Sequence, residues 1–252
     1  MPSARDPGEI YRETREEGRR RLKRPLLELS ATALVGGFDV AFGVAAYGLA
    51  ARTLSGDAAH LAGALAFGIG FVFIVVGRSE LFTENFLIPV AGLEQNRLGS
   101  WVKLGELWVV ALVLNIAGGT LLTIILTSEG VLPHGADEPL VALADHIVGY
   151  STLTSFLSAM VAGALMTLMT WFVEGAADSA GVRMVMAWIT GTLIVLGTFN
   201  HAVVSTIELV FGMRYGADVD VVQLITNLGL AVGGNLVGGL LFVTLVRTLQ
   251  AS

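Results

Sequence analysis

Gly77-Arg78-Ser79-Glu80-Leu81-Phe82-Thr83-Glu84-Asn85-Phe86-Leu87-Ile88-Pro89 decides the reading of this chain. It follows an almost purely apolar run, Leu61 to Val76, and passes straight back into apolar residues from Phe86 to Leu93. An Arg, two Glu, a Ser, a Thr and an Asn therefore sit at the far end of a hydrophobic segment, with no water-exposed loop to carry them. Bilayer hydrocarbon tolerates irregular or charged backbone only where protein buries it or where it lines a wet cavity. An interrupted helix of this kind is the usual pointer to a transport site. A second stretch, Phe199-Asn200-His201, interrupts the apolar run from Met184 to Phe211 in the same way. The two polar breaks are expected to face each other in mid-bilayer, with a narrow passage between Thr83 and His201.

The composition agrees with a membrane setting. Of 252 residues, 54% are hydrophobic and 14% charged, against about 25% charged in average soluble domains. The 31 glycines suit close helix packing in a membrane. There is no Cys, which excludes disulfides, thiolate chemistry and cysteine metal sites. The net charge of −6 says little, because most charge lies in tails and loops. No cleavable signal is expected, since the first 25 residues are charged and lack a short apolar region.

Residues 1–25 hold eight of the Lys and Arg residues and only a thin apolar stripe: Ile10, Tyr11, Thr14 and Leu22. They read either as a cytoplasmic tail or as an amphipathic helix at the membrane surface. Residues 26–248 read as one six-span transmembrane channel domain. The spans are Leu26–Ala51, Leu61–Leu93, Trp101–Leu126, Ser151–Val173, Val182–Phe211 and Val221–Val246. The second and fifth run to about thirty residues, where about 20 suffice to cross; the excess fits a half-helix, a link and a second half-helix. With the N-terminus inside, twelve Lys and Arg fall on inner segments and only Arg52 and Arg214 on outer loops. Both termini are therefore expected on the cytoplasmic side of the cell (inner) membrane.

The halves repeat. Asn115-Ile116-Ala117-Gly118-Gly119 in span three matches Asn235-Leu236-Val237-Gly238-Gly239 in span six, 120 positions on. Three spans per half make the two halves run in opposite directions. The fold expected is an all-α membrane protein, six helices in an inverted 3+3 repeat with broken second and fifth helices. The Asn-x-x-Gly-Gly stretches serve equally as close-packing motifs.

Glu80-Leu81-Phe82-Thr83 resembles the Glu-Leu-Phe-Thr loop of the formate/nitrite transporter family. Gly197-Thr198-Phe199-Asn200-His201 is similar to that family's Gly-Phe-Glu-His stretch with one residue inserted. Gly233 to Gly239 and Asn115 with Gly118 and Gly119 are similar to its last-helix and third-helix motifs. The resemblance covers roughly residues 28–247. It implies an aquaporin-like protomer, a homo-oligomer of pentameric form with one pore per protomer, and passage of small monovalent anions such as formate or nitrite, or their weak acids. It also implies a constriction at the Leu-Phe-Thr loop and a mid-pore His that lends a proton to the anion. Departures mark a divergent branch. Arg78 and Glu84 occupy slots that are usually small, Asn200 replaces the Glu before the His, and Thr167 stands in an Asn slot of the fourth span.

His201 is the sole His in a span core, and an imidazole exchanges its proton near neutral pH. It reads as a pore group or as a hydrogen-bonded core His. Thr83 can offer its hydroxyl to an anion, or cap the half-helix that follows. Leu81 and Phe82 can form a dry constriction. Phe67 and Phe199 can do so on the opposite side, or merely pack. Arg78 is expected either to pair with Glu80, Glu84 or Asp39 and pin the loop, or to draw anions to the pore mouth. Glu208, two helical turns past His201, either pairs or faces the pore, where it would repel anions. Glu84 and Glu208 together favour an alternative reading, a channel for a small neutral solute. No metal-ligand pair, nucleophile elbow or phosphate loop is present. No enzyme activity, cofactor, metal or nucleic-acid partner is expected; the partners are the bilayer, other copies of the chain and the small solute.

Overall fold

A computed structural model describes residues 5–176 and 178–251. The described residues form helices joined by short connections, with no strand among them. In order these are α1 (Pro7–Arg21), α2 (Leu26–Ala51), α3 (Gly56–Gly77), a single 3-10 turn (Phe82–Phe86), α4 (Ile88–Ala91) and α5 (Leu98–Leu126). Then come α6 (Asp137–Val148), α7 (Thr152–Gly175), α8 (Ala180–Leu196), α9 (Val204–Arg214), α10 (Val221–Val237), a π-helical stretch (Gly238–Leu245) and α11 (Val246–Gln250). Among the described residues, α2, α3, α5, α7 and the continuous run Val221–Gln250 are long and apolar enough to cross a membrane; Ala180–Leu196 is apolar but shorter.

Glycines set how closely these helices approach. A Cβ on Gly37 would collide with the Asn115 carbonyl, and one on Gly118 with that of Leu34, so α2 and α5 meet backbone to backbone. The same holds for α7 and the last helix, where Gly163 abuts the Asn235 carbonyl and Gly238 that of Met160. Such small-residue contacts are how helices associate without a hydrophobic drive between them. Large side chains such as Phe67, Phe71, Phe86, Phe211 and Met166 fill the interior. Val109, Val113, Leu157, Leu241 and many other apolar side chains point outward, as lipid contact requires.

One element was not expected, and another takes one of its two readings. The connection after α5 holds a helix, α6, whose Leu140, Leu143, Ala144 and Ile147 join the core. The N-terminal segment forms α1, opened by Pro7 and an Asp6 cap that accepts from the Gly8 N–H at 2.9 Å. Its buried residues Ile10, Thr14 and Gly18 recur every four positions and face the protein. Ile10 packs on Leu87 and Trp171, and Gly18 lies against the Ile88 carbonyl. The helix is docked on the body of the protein rather than standing off it as a tail.

Candidate functional site

The two polar links are built alike. α3 ends at Arg78, whose φ of 56° is left-handed, and α8 is followed by Thr198 at φ 47°. These are the positive-φ non-glycine residues among those described, and they lie 120 positions apart. One residue past each, the backbone N–H reaches five residues back: Ser79 to the Ile74 carbonyl at 3.1 Å, Phe199 to that of Ile194 at 2.9 Å. Beyond that point the chain leaves the helix, and its polar backbone needs other partners at a depth where water is scarce.

Two asparagines supply them. The Asn115 side chain donates to the carbonyls of Ala33 (2.7 Å) and Glu80 (2.8 Å) and accepts from the Phe82 N–H (2.9 Å). Asn235 donates to the carbonyls of Ala159 (2.8 Å) and Asn200 (3.0 Å) and accepts from the Ala202 N–H (2.9 Å). Both asparagines are fully buried. Each amide uses its donor and acceptor groups on three backbone sites, which locks the link between the helix it leaves and the helix it crosses.

Between the links, the Thr83 hydroxyl meets His201 Nε2 at 2.8 Å, and neither residue has any solvent exposure. His201 Nδ1 accepts from the backbone N–H groups of Val203 (3.3 Å) and Val204 (3.1 Å). An acceptor at Nδ1 places the ring proton of the neutral imidazole on Nε2. Nε2–H therefore donates to Thr83 Oγ1, and the Thr83 hydroxyl hydrogen has no acceptor among the described residues. The ring also caps α9, the role open to Thr83 on sequence grounds; Ser205 returns the favour by accepting from the His201 N–H at 3.0 Å. No gap separates Thr83 from His201 in this conformation.

Aromatic and aliphatic groups close both sides. Leu81 and Phe82 are buried beside Thr83, and Phe82 meets Phe86 edge-on with ring centres 5.1 Å apart. Trp108 packs edge-on against Phe86 and donates to the Asn85 carbonyl at 2.9 Å. On the other side Phe71, which the sequence did not single out, faces the His201 ring at 6.3 Å, with Phe67 behind it at 5.5 Å from Phe71. Phe199 is half-buried, with its ring folded back over Gly197. Thr167 donates to its own helix at the Gly163 carbonyl (2.8 Å) and lies near Phe86 and Gly239. Asn200 forms a neutral network with Ser155 and Asn227.

The charged residues part from expectation. Arg78 makes no ion pair among the described residues, and its side chain is exposed. Glu80 instead pairs with Arg21 (3.2 Å) and with Arg24, two residues of the N-terminal segment. Docking of α1 and of the turn after it brings the two arginines to this carboxylate, while Arg78 lies with it along the same cavity without pairing. Arg21 also donates to Asn85 Oδ1 (3.3 Å). Burial opposes the Arg21 charge, but Glu80, Glu84 and Glu17 outweigh it and hold its pKa above the ordinary value. Burial likewise pushes Glu17 upward, but Arg20 and Arg21 win and its carboxyl stays below the usual range. Asp39 accepts from the Ser79 hydroxyl. Glu208 is buried beside Ser205. Glu84 and Glu208 have no ion pair among the described residues. Arg21, Arg24, Arg78, Arg183, Glu84 and Glu174 line a cavity of about 270 Å³ that opens beneath the first link. Among the described residues no three His, Asp or Glu converge as a metal site would need.

Residues 8–249 match the family model described as formate/nitrite transporter. The chain belongs to the formate/nitrite transporter family. Among curated relatives, the inner membrane protein YfdC of Escherichia coli (strain K12) is 26% identical over 205 residues; that match covers 80% of this chain and 65% of YfdC. The uncharacterized transporter YrhG of Bacillus subtilis (strain 168) is 27% identical over 96% of this chain and 92% of its own length. The fold is shared with a solved FNT family ion channel, TM-score 0.80 at 16% identity, covering 96% of this chain and 98% of that one. It is shared too with a pentameric formate channel with formate bound, TM-score 0.72 at 21% identity, covering 89% and 96%. The family is described as a transporter family, and the two solved neighbours as channels.

Proposed function

We propose that this chain carries small monovalent anions or their weak acids across the inner membrane, passing them between Thr83 and His201. The observation that supports this most is the tautomer of His201. With its ring proton given to Thr83, the Thr83 hydroxyl is left as a buried donor with nothing to bind, and a carboxylate or nitrite oxygen satisfies it. Leu81, Phe82, Phe67 and Phe71 on either side exclude hydrated ions, so the solute moves as a partly desolvated anion, or as the neutral acid when His201 has first taken up a second proton and returns to neutral imidazole by passing one on.

The paired links suggest the architecture. Arg78 and Thr198, Glu80 and Asn200, Phe82 and Ala202, Asn115 and Asn235 each stand 120 positions apart and make equivalent contacts. An inverted 3+3 repeat with broken second and fifth spans accounts for this, with both termini on the cytoplasmic side. The pentameric neighbour supports a homopentamer with a pore in each protomer. Arg78, free of a carboxylate and lining the inner cavity, draws anions toward the first link.

Uptake of labelled formate, nitrite and acetate into proteoliposomes, with the outside pH stepped across neutrality, tests the reading. Flux that varies with pH and is lost in His201→Asn is expected; absence of flux for every weak acid refutes it. The buried, unpaired Glu84 and Glu208 favour a second reading, a channel for a small neutral solute. Osmotic swelling in neutral solutes without weak-acid flux would select it.

A further inference from the structure

A pocket of about 520 Å³ lies apart from the pore, where the end of α1 meets the start of α5. Arg19 and Lys23 from the N-terminal segment and Arg97 and Lys103 from around the α5 start line it, against a single acid, Glu94. Arg97 is held by Glu94 at 3.0 Å and Lys103 by Glu106 at 2.8 Å, both in exposed pairs. Arg19 and Lys23 have no side-chain partner among the described residues. One wall is apolar: Leu22 is buried, and Leu98 stands 80% exposed. Trp101 and Val102, also exposed, continue that apolar surface onto the outward face of α5, where Val109 and Val113 extend it into the membrane span.

We propose that this pocket binds the headgroup of an anionic phospholipid of the inner leaflet. The basic side chains meet the phosphate, and the acyl chains run along the apolar face of α5. A basic pocket at the cytoplasmic edge of a membrane helix is suited to this ligand. The apolar wall argues for a lipid over a soluble phosphate, which would gain nothing from Leu98, Trp101 and Val102. A bound lipid would join α1 to α5 and so bear on how firmly the N-terminal helix stays docked.

The test is native mass spectrometry of the purified full chain in mixed micelles holding phosphatidylglycerol or phosphatidylcholine. The wild type is expected to retain phosphatidylglycerol and not phosphatidylcholine. Arg19→Gln/Lys23→Gln is expected to weaken retention about thirtyfold, taking about 1 kcal/mol per basic residue at 1.4 kcal/mol per tenfold. Arg12→Gln/Arg15→Gln, which removes equal charge from the same helix outside the pocket, is expected to leave retention unchanged. Equal retention of the two lipids by the wild type overturns the proposal without reliance on any variant. So does an equal loss in both double variants, which would mean general charge attraction. Displacement of the lipid by inorganic phosphate also overturns it, in favour of a soluble anion.

Discussion

Thr83→Val removes one oxygen and keeps the side-chain shape. Two consequences follow from the geometry. The His201 Nε2–H loses its acceptor at 2.8 Å in a site with no solvent exposure, and an unsatisfied buried donor costs about 1–3 kcal/mol. On the proposed route a passing anion also loses the Thr83 hydroxyl hydrogen, which no described residue accepts, and a hydrogen bond to a charged group is worth about 1.5–3 kcal/mol. Charged to the transport barrier at 1.4 kcal/mol per tenfold, that second loss lowers anion flux by about ten- to a hundredfold. Thr83→Ser restores the hydroxyl and should recover most of the flux. The assay is initial-rate uptake of labelled formate in proteoliposomes at matched protein density, with a thermal melt of each variant to separate lost folding from lost conduction. A folded Thr83→Val protein conducting at the wild-type rate refutes the view that this hydroxyl meets the solute.

Other outcomes are set by the same contacts. Asn115→Ala and Asn235→Ala each strip the partner from two buried link groups, the Glu80 or Asn200 carbonyl and the Phe82 or Ala202 N–H; a penalty of about 1–3 kcal/mol per group predicts a similar drop in thermal stability for both. Glu80→Gln removes the buried carboxylate that Arg21 and Arg24 share and leaves them only Glu17 and Glu28, so the melting temperature should fall, by less than the loss of a fully buried pair would cause. Arg78→Gln breaks no ion pair and should leave stability unchanged while lowering anion uptake, most of all at low salt. Gly18→Ala favours helix by about 1 kcal/mol, yet its Cβ meets the Ile88 carbonyl; α1 should detach, read as faster tryptic cleavage at Arg12 and Arg15.

The sequence read some of this well and some not at all, for physical reasons. The stretches around Thr83 and His201 stood out because polar residues in an apolar run have few places to be, and the two side chains are in contact at 2.8 Å where the sequence reading puts a passage. The 120-residue spacing of the Asn-x-x-Gly-Gly stretches was legible as repetition. That the two asparagines clamp the links was not, since a side chain's partners 35 residues away leave no periodic trace. The partners of Glu80 were missed for a like reason. Arg21 and Arg24 sit in a segment whose thin apolar stripe suits solvent, membrane or protein equally, and only the backbone contact at Gly18 decides for protein. Phe71 was hidden among other aromatics of α3, where nothing in composition separates the one that touches an imidazole.

The asparagine clamps bear on how the side chains between them can vary. Each link is fastened by the third long helix of its own half, Asn115 for 80–82 and Asn235 for 200–202. The halves still meet side chain to backbone, as where the Thr244 hydroxyl donates to the Phe86 carbonyl at 2.7 Å and Ile207 packs on Gly119. On the proposed repeat, Leu81-Phe82-Thr83 and His201-Ala202-Val203 are corresponding stretches, and they carry quite different side chains between clamps of one design. Buried side chains there can therefore be exchanged while the asparagine fastening is left as it is.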